Sequence, residues 1–460
     1  MKNRKVNMTE GKIYPKLLIF SIPLVIASIF QLTYNLFDYI ILGWFSETKI
    51  ASQAAVGVAN PIMNIFLSLI SGLCVGLAIH SSELYGKKDI TNLKRQISSC
   101  LISGVSAIII LTILFIALLN PILNISNVYD PSLRRQVYIY LLVISIGFIF
   151  SFIFNFYASV IRSFGDSYSS LLFLIISCVL NISFNILFVV GFKLDVLGVA
   201  LSTTISQFIS ALLMILYSKI RYKEYLVLKR NEYIVDKELL KISSSYAIAS
   251  ALQQIVLFVG KYIISTQVNK YDAVTIDAFT SSTSIDQFFF AGAQNIGHAS
   301  AIFIAQNKGA KNYSRAKKGF LAGLSINIVY GIIITLLLVI FRKDMLNLFI
   351  SNEEAIQESK DLVISKGMLY VNIMCFLYLC PCVTNSIQSY FRGIGKLNIV
   401  FYSTFVQIIA RVLFSLILIS TTNDPLSSTA YGTGIGWAFM ISFELPFLIT
   451  YWKTEKNLSK

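Results

Sequence analysis

At 460 residues, 56% hydrophobic and 13% charged, with a mean hydropathy of +0.71, the chain is too apolar to be a set of soluble domains. A formal net charge of +15 would suit nucleic acid. Nucleic-acid binders, however, carry their basic patches on soluble folded structure, and no polar stretch here is long enough to build one.

The first apolar run, about residues 15–45, follows Lys2, Arg4, Lys5 and Lys12 and includes Lys16. It is longer than a signal-peptide h-region and has no small-residue cleavage site behind it, so it reads as a retained first helix. Roughly 30 residues extend about 45 Å as a helix, enough to cross a ~30 Å hydrocarbon core. Gln31, Tyr34 and Asp38 fall at i, i+3 and i+7 and share one face. A carboxylate inside a span is costly, which marks Asp38 as a functional candidate; the alternative is a static structural pair. Pro23, earlier on the same helix, removes a backbone hydrogen bond and predicts a hinge.

Further spans are expected at about 52–82, 97–119, 137–161, 169–191 and 198–217. A second set follows at about 242–268, 276–305, 320–341, 362–390, 398–420 and 430–451. The expected organisation is an amino-terminal lobe (1–217), a cytoplasmic linker (218–241) and a carboxy-terminal lobe (242–460). On the side of the amino terminus lie 27 Lys and Arg, against nine on the other. The positive-inside rule then puts both termini, 224–230 and 308–318 in the cytoplasm of a multi-pass cell-membrane protein. The positive charge thus reports topology and contact with the lipid bilayer, with no nucleic-acid partner.

The halves repeat weakly. A shift of 223 pairs Gln31 with Gln254 and Gly86 with Gly309; a shift of 230 pairs Asn155 with Asn385, Arg162 with Arg392 and Gly165 with Gly395. Six spans separate the copies, so the repeat is parallel. The fold class is therefore an all-α membrane protein of twelve helices, in two six-helix bundles related by a pseudo-two-fold along the membrane normal, an arrangement suited to alternating access.

Several pieces recur in a characteristic order: Pro23 with Tyr34-Asn35-Leu36-Phe37-Asp38, then Ile161-Arg162-Ser163-Phe164-Gly165-Asp166, and Asn181 with Asn185. Leu197-Gly198-Val199-Ala200-Leu201-Ser202-Thr203 and Gln306-Asn307-Lys308-Gly309-Ala310 with Arg315 complete the set. Together they resemble the multidrug and toxic compound extrusion (MATE) transporters of bacteria. The resemblance implies export of small amphipathic or cationic organic compounds in exchange for H⁺ or Na⁺, by a monomer with no other cofactor. It points to Asp38 as the coupling carboxylate, surrounded by Gln31, Tyr34, Asn155, Asn181 and Thr203. Such a carboxylate, flanked by amides and hydroxyls, can hold a proton or coordinate Na⁺ through oxygens. The chain departs from the family pattern at Asn185, where many prokaryotic relatives have an aspartate.

The second half has buried charges of its own: Lys261, Asp286, Arg411 and Glu444. Lys261 is expected to pair with Asp286, span eight following span seven directly. Either these charges neutralise one another, or Asp286 or Glu444 contacts a cationic substrate. Cys380-Pro381-Cys382 lacks zinc spacing and predicts a proline kink. No phosphate loop or nucleophile elbow appears. A secondary antiporter is the preferred function. A lipid-linked saccharide flippase, with a cavity dominated by basic residues, is the alternative. An integral-membrane transferase would need a cluster of carboxylates or His that the sequence lacks.

Overall fold

The computed structural model describes residues 5–46, 49–125, 128–229, 232–350 and 359–458. Among the described residues, eleven helices are long and apolar enough to cross a membrane. In chain order they are α1 (Ile13–Phe45), α2 (Lys49–Gly86), α3 (Ile90–Ile125), α4 (Pro131–Ser163), α5 (Tyr168–Asn185) and α6 (Asp195–Arg221), then α7 (Lys237–Val268), α8 (Ala273–Gly309) and α9 (Tyr313–Phe349). Next come the pair α10 (Lys360–Leu377) and α11 (Leu379–Gly393), bent by 47° and together one further candidate span, then α12 (Leu397–Thr422) and α13 (Pro425–Leu458). The expected single span at 362–390 is therefore broken. The cause is local: Pro381 has no N–H to give the carbonyl of Leu377, four residues back, and the helix ends there.

Two compact units emerge. Of the described residues, the first contains those within 26–251, with Lys5 and Val6; the second contains those within 7–25 and 252–458. α1 passes from the second unit to the first between Val25 and Ile26, two residues after Pro23. Within the first unit, Phe66 stacks on Phe148 at 5.1 Å and meets Phe115 edge-on at 4.5 Å. Within the second, Phe289 packs on Tyr378 at 4.2 Å.

Lipid tails are as apolar as leucine, so membrane helices associate through close backbone approach rather than apolar burial. Gly72 and Gly76 on α2 supply that approach. A Cβ on Gly76 would lie 2.4 Å from the backbone nitrogen of Ala247 on α7, and one on Gly72 2.5 Å from the Cα of Ala251.

Helix ends are set by capping. Asp130 accepts from Leu133 N at 2.7 Å to start α4, with Pro131 at the first position. Asp272 starts α8, its carboxylate receiving the Thr275 hydroxyl at 2.6 Å. That hydroxyl holds the Asp272 carboxyl below its usual range. Gly165 (φ +92°) and Gly395 (φ +83°) end α4 and α11 in conformations that a side chain would strain. The repeated Arg-x-x-Gly pattern is thus a chain-reversal signature.

Candidate ion-coupling site

Asp38 sits on α1 with 6% of its surface exposed. Seventeen residues after Tyr168, α5 reaches Asn185 and hands over to a π-helical turn, Ile186–Gly191. Such turns recur at functional sites because they rotate side chains off the regular helical face. The Asn185 amide donates to Asp38 Oδ1 at 2.5 Å and to Asn181 Oδ1 at 3.1 Å. Its own oxygen accepts the Ser202 hydroxyl from α6 at 2.6 Å. One turn earlier on α5, Asn181 Nδ2 donates to Thr203 Oγ1 at 3.2 Å. Asn181 and Thr203 also come within hydrogen-bonding range of Asp38. Asn181, Asn185 and Ser202 are wholly buried.

Asp38 and Thr203 open onto a cavity of about 30 Å³ with Tyr140, Phe148 and Gln207. That volume suits a water molecule or a bare ion, since one water needs roughly 10–15 Å³ of such space. An organic compound would not fit. The chemistry is that of an acid held by neutral donors, which can carry a proton or offer its oxygens to a small cation.

Of the residues expected around Asp38, the structure gathers Asn181, Asn185 and Thr203. Gln31 is exposed on α1. Asn155 is half-buried and donates to the Ser151 carbonyl of its own helix at 2.8 Å. The side chain of Tyr34 lies outside the described residues. Ser202 and Tyr140 join the site without having been expected there. Ser202 was visible as one more hydroxyl next to Thr203, but no spacing rule links Tyr140 on α4 to α1.

In the second unit the expected pairing of Lys261 with Asp286 does not form. Asp286, 4% exposed, takes hydroxyls from Tyr370 and Tyr378 at 2.5 Å each. Helical arithmetic gives the reason. Lys261 lies seven residues from the end of α7 and Asp286 thirteen from the start of α8. At the helical rise these depths are about 10 and 20 Å. Tyr370 and Tyr378, ten and eighteen residues along the bent α10–α11 span, bracket the deeper level at about 15 and 27 Å. Two neutral phenols also avoid the cost of desolvating an ammonium. Arg411 and Lys261 act on Asp286 only through space. Arg411 is wedged beside Gly436, where a Cβ would meet its own at 2.9 Å, and its Nε is buried without an acceptor. Glu444 is wholly buried.

Other motif residues prove architectural. Asp166 caps α5 through Ser169 N at 3.0 Å and receives Tyr222 OH at 2.8 Å. Arg315 clasps the amino-terminal segment within the second unit, donating to the carbonyls of Met8 (3.0 Å), Glu10 (2.7 Å) and Gly11 (2.7 Å).

Comparison with known proteins bears on the family and the fold. The family model MatE matches residues 23–187 and 249–417. The chain is 26% identical over 451 residues to the probable multidrug resistance protein YpnP of Bacillus subtilis (strain 168), covering 96% of each chain. It is 24% identical over 380 residues to the probable multidrug resistance protein YoeA of the same organism, covering 80% of this chain and 79% of that one. It also matches a solved crystal structure of MATE in complex with MaL6, with a TM-score of 0.90 over 99% of this chain and 100% of that one; at 18% identity the likeness concerns the fold. The family model spans well over half of the chain, and the helical fold agrees with it: the chain belongs to the MatE family of multidrug and toxic compound extrusion transporters and is a membrane transporter, not an enzyme.

Proposed function

We propose that this transporter is a secondary antiporter that exports small amphipathic organic compounds, cationic ones included, in exchange for H⁺ or Na⁺ at Asp38. The observation that carries the reading is the Asp38 cluster itself, a buried carboxyl held by Asn185 at 2.5 Å beside a cavity sized for an ion. Neutral donors leave the group able to gain and lose its charge, which a permanent ion pair would prevent. Without a second acid at position 185, one ion per cycle passes through this unit. Pro23 leaves the carbonyl of Ile19 without its helical donor, so α1 can bend when Asp38 is neutralised and alternate the cavity's access. The protein works as a monomer in the cell membrane, with both termini cytoplasmic.

Vesicles with an imposed pH or Na⁺ gradient test this. Asp38→Asn is expected to fold and bind an amphipathic dye but to lose gradient-driven efflux, and the effective gradient identifies the ion. Full efflux by that variant under a verified gradient would refute the role of Asp38.

One observation favours a second reading, a flippase for an anionic lipid-linked saccharide. Lys261 and Arg411 bring two cations into the interior of the second unit, and Asp286 is already held by two phenols. The same vesicles, scored for lipid translocation without a gradient, separate the two activities.

A further inference from the structure

Arg392, at the end of α11, is 2% exposed, and Glu444 on α13 is wholly buried. The guanidinium is held from one side. Its Nη2 donates to Gln253 Oε1 at 2.9 Å and to Gln388 Oε1 at 3.2 Å. The amides are fixed in turn: Gln253 Nε2 donates to Gln388 Oε1 (3.1 Å) and Thr404 Oγ1 (2.9 Å), and Gln388 Nε2 to Thr404 Oγ1 (3.1 Å). On the other side, Arg392 Nε and Nη1 are buried without an acceptor, and both Glu444 oxygens are buried without a well-formed hydrogen bond, their polar neighbours being the Ser403 hydroxyl and the Gln388 amide. The two groups feel each other's charge, yet no ion pair joins them.

A buried carboxylate with only two loosely placed neutral donors and no contacting counter-charge is a costly resting state. A neutral carboxylic acid is a cheaper one, because it needs far less solvation. We propose that Glu444 is a proton-binding site of the second unit, separate from Asp38, and that Arg392 is its counter-charge. In the described arrangement the proton sits on Glu444 and Arg392 rests on the two glutamines. When the O–H bond breaks, the electron pair stays on the carboxylate and the proton leaves to solvent. Glu444 then closes onto the free N–H groups of Arg392. The closure has a compliant element: Pro446, two residues on and inside α13, leaves the Ser442 carbonyl without its helical donor.

Among the elements packed against α13, the interior charges are Arg392 on α11 and Arg411 on α12. Arg411 sits beside Gly436, eight residues back from Glu444. The charges of α9 and α10 lie towards the helix ends. Of these, Lys317 donates to the Trp452 carbonyl at 2.6 Å and Lys366 pairs with Asp272 at 3.3 Å. Among the described residues, Arg392 is therefore the charge placed to answer a change at Glu444.

The site does not depend on the antiporter reading, and its test does not use transport. Infrared difference spectra of the full-length protein in lipid nanodiscs, titrated from acid to alkaline pH, report the carbonyl stretch of each protonated carboxylic acid. Wild type is expected to show a band that disappears on alkalinisation. Glu444→Gln should lose it, whereas Asp38→Asn and Asp286→Asn should keep it. Glu444→Asp, should Glu444→Gln fail to fold, is expected to move the band. A band set unchanged by both Glu444 variants means that the residue is ionised throughout, and overturns the proposal.

Discussion

The contact between Asp38 and Asn185 allows a quantitative test of the site. Asn185→Ala removes three hydrogen bonds: to Asp38 (2.5 Å), to Asn181 (3.1 Å) and from Ser202 (2.6 Å). Neutral side-chain bonds between membrane helices contribute on average about 0.6 kcal/mol each, and a bond to a charged group about 1.5–3 kcal/mol. The single substitution is therefore expected to cost roughly 3–4 kcal/mol while Asp38 is ionised, and about 2 kcal/mol while it is protonated. A double-mutant cycle with Asp38→Ala isolates the shared bond. Its coupling energy should be about 1.5–3 kcal/mol where Asp38 is charged and fall towards 0.6 kcal/mol on acidification. Reversible unfolding in mixed micelles across a pH series provides the four free energies. Additivity within about 0.3–0.5 kcal/mol at every pH would mean that the two side chains are uncoupled, and the site as described would be wrong.

Three further expectations follow from local geometry. Gly76→Val forces a side chain into the Ala247 backbone at 2.4 Å and should cost at least about 1–3 kcal/mol, read as a lower Tm; Gly57→Ala, with nothing within 4 Å, is the control and should leave Tm unchanged or raised. Asp272→Ala removes the α8 cap and should cost roughly 0.5–2 kcal/mol at neutral pH. Because the folded carboxyl is held below its usual range, its contribution is present above the ordinary carboxylate range and is lost as pH falls through the folded value. The Tm gap between wild type and variant should therefore narrow in acid, and a gap indifferent to pH would exclude the charged cap. In a cysteine-free background, an impermeant thiol reagent applied to intact cells should label Tyr129→Cys but not Lys311→Cys; the reverse pattern would invert the topology.

The spans were legible because apolar length is a one-dimensional property, and the break at Leu377 because Pro381 acts on the carbonyl four residues before it. The heart of the site was legible for a related reason: Asn181 and Asn185 are one turn apart, and a buried acid demands donors. What failed was depth. Gln31 shares a face with Asp38 but lies two turns, about 10 Å, lower on α1, so a common face did not bring it to the site. Lys261 and Asp286 were matched by sign and by adjacency of their spans, whereas contact also required equal depth, and the tyrosines of the bent span met that requirement. Contacts such as Tyr140 with the Asp38 cavity depend on how α4 is rotated against α1, which no single-helix pattern encodes.

The two units solve one electrostatic problem in the same way. Each keeps a carboxyl deep among helices and serves it with neutral groups: amides and hydroxyls at Asp38, two phenols at Asp286. Cations stand near Asp286 in Lys261 and Arg411, but neither touches it. A cation in contact throughout would favour the ionised form and make neutralisation costly, and at Glu444 too the Arg392 guanidinium stands out of contact. Amide and hydroxyl donors stabilise the ionised form less, and hydroxyls can turn to accept from the protonated one. On the proposed antiport reading, a carboxyl that changes its charge within each cycle is served by this environment. Serine, threonine, tyrosine and asparagine around these acids are therefore as much a part of the chemistry as the acids themselves.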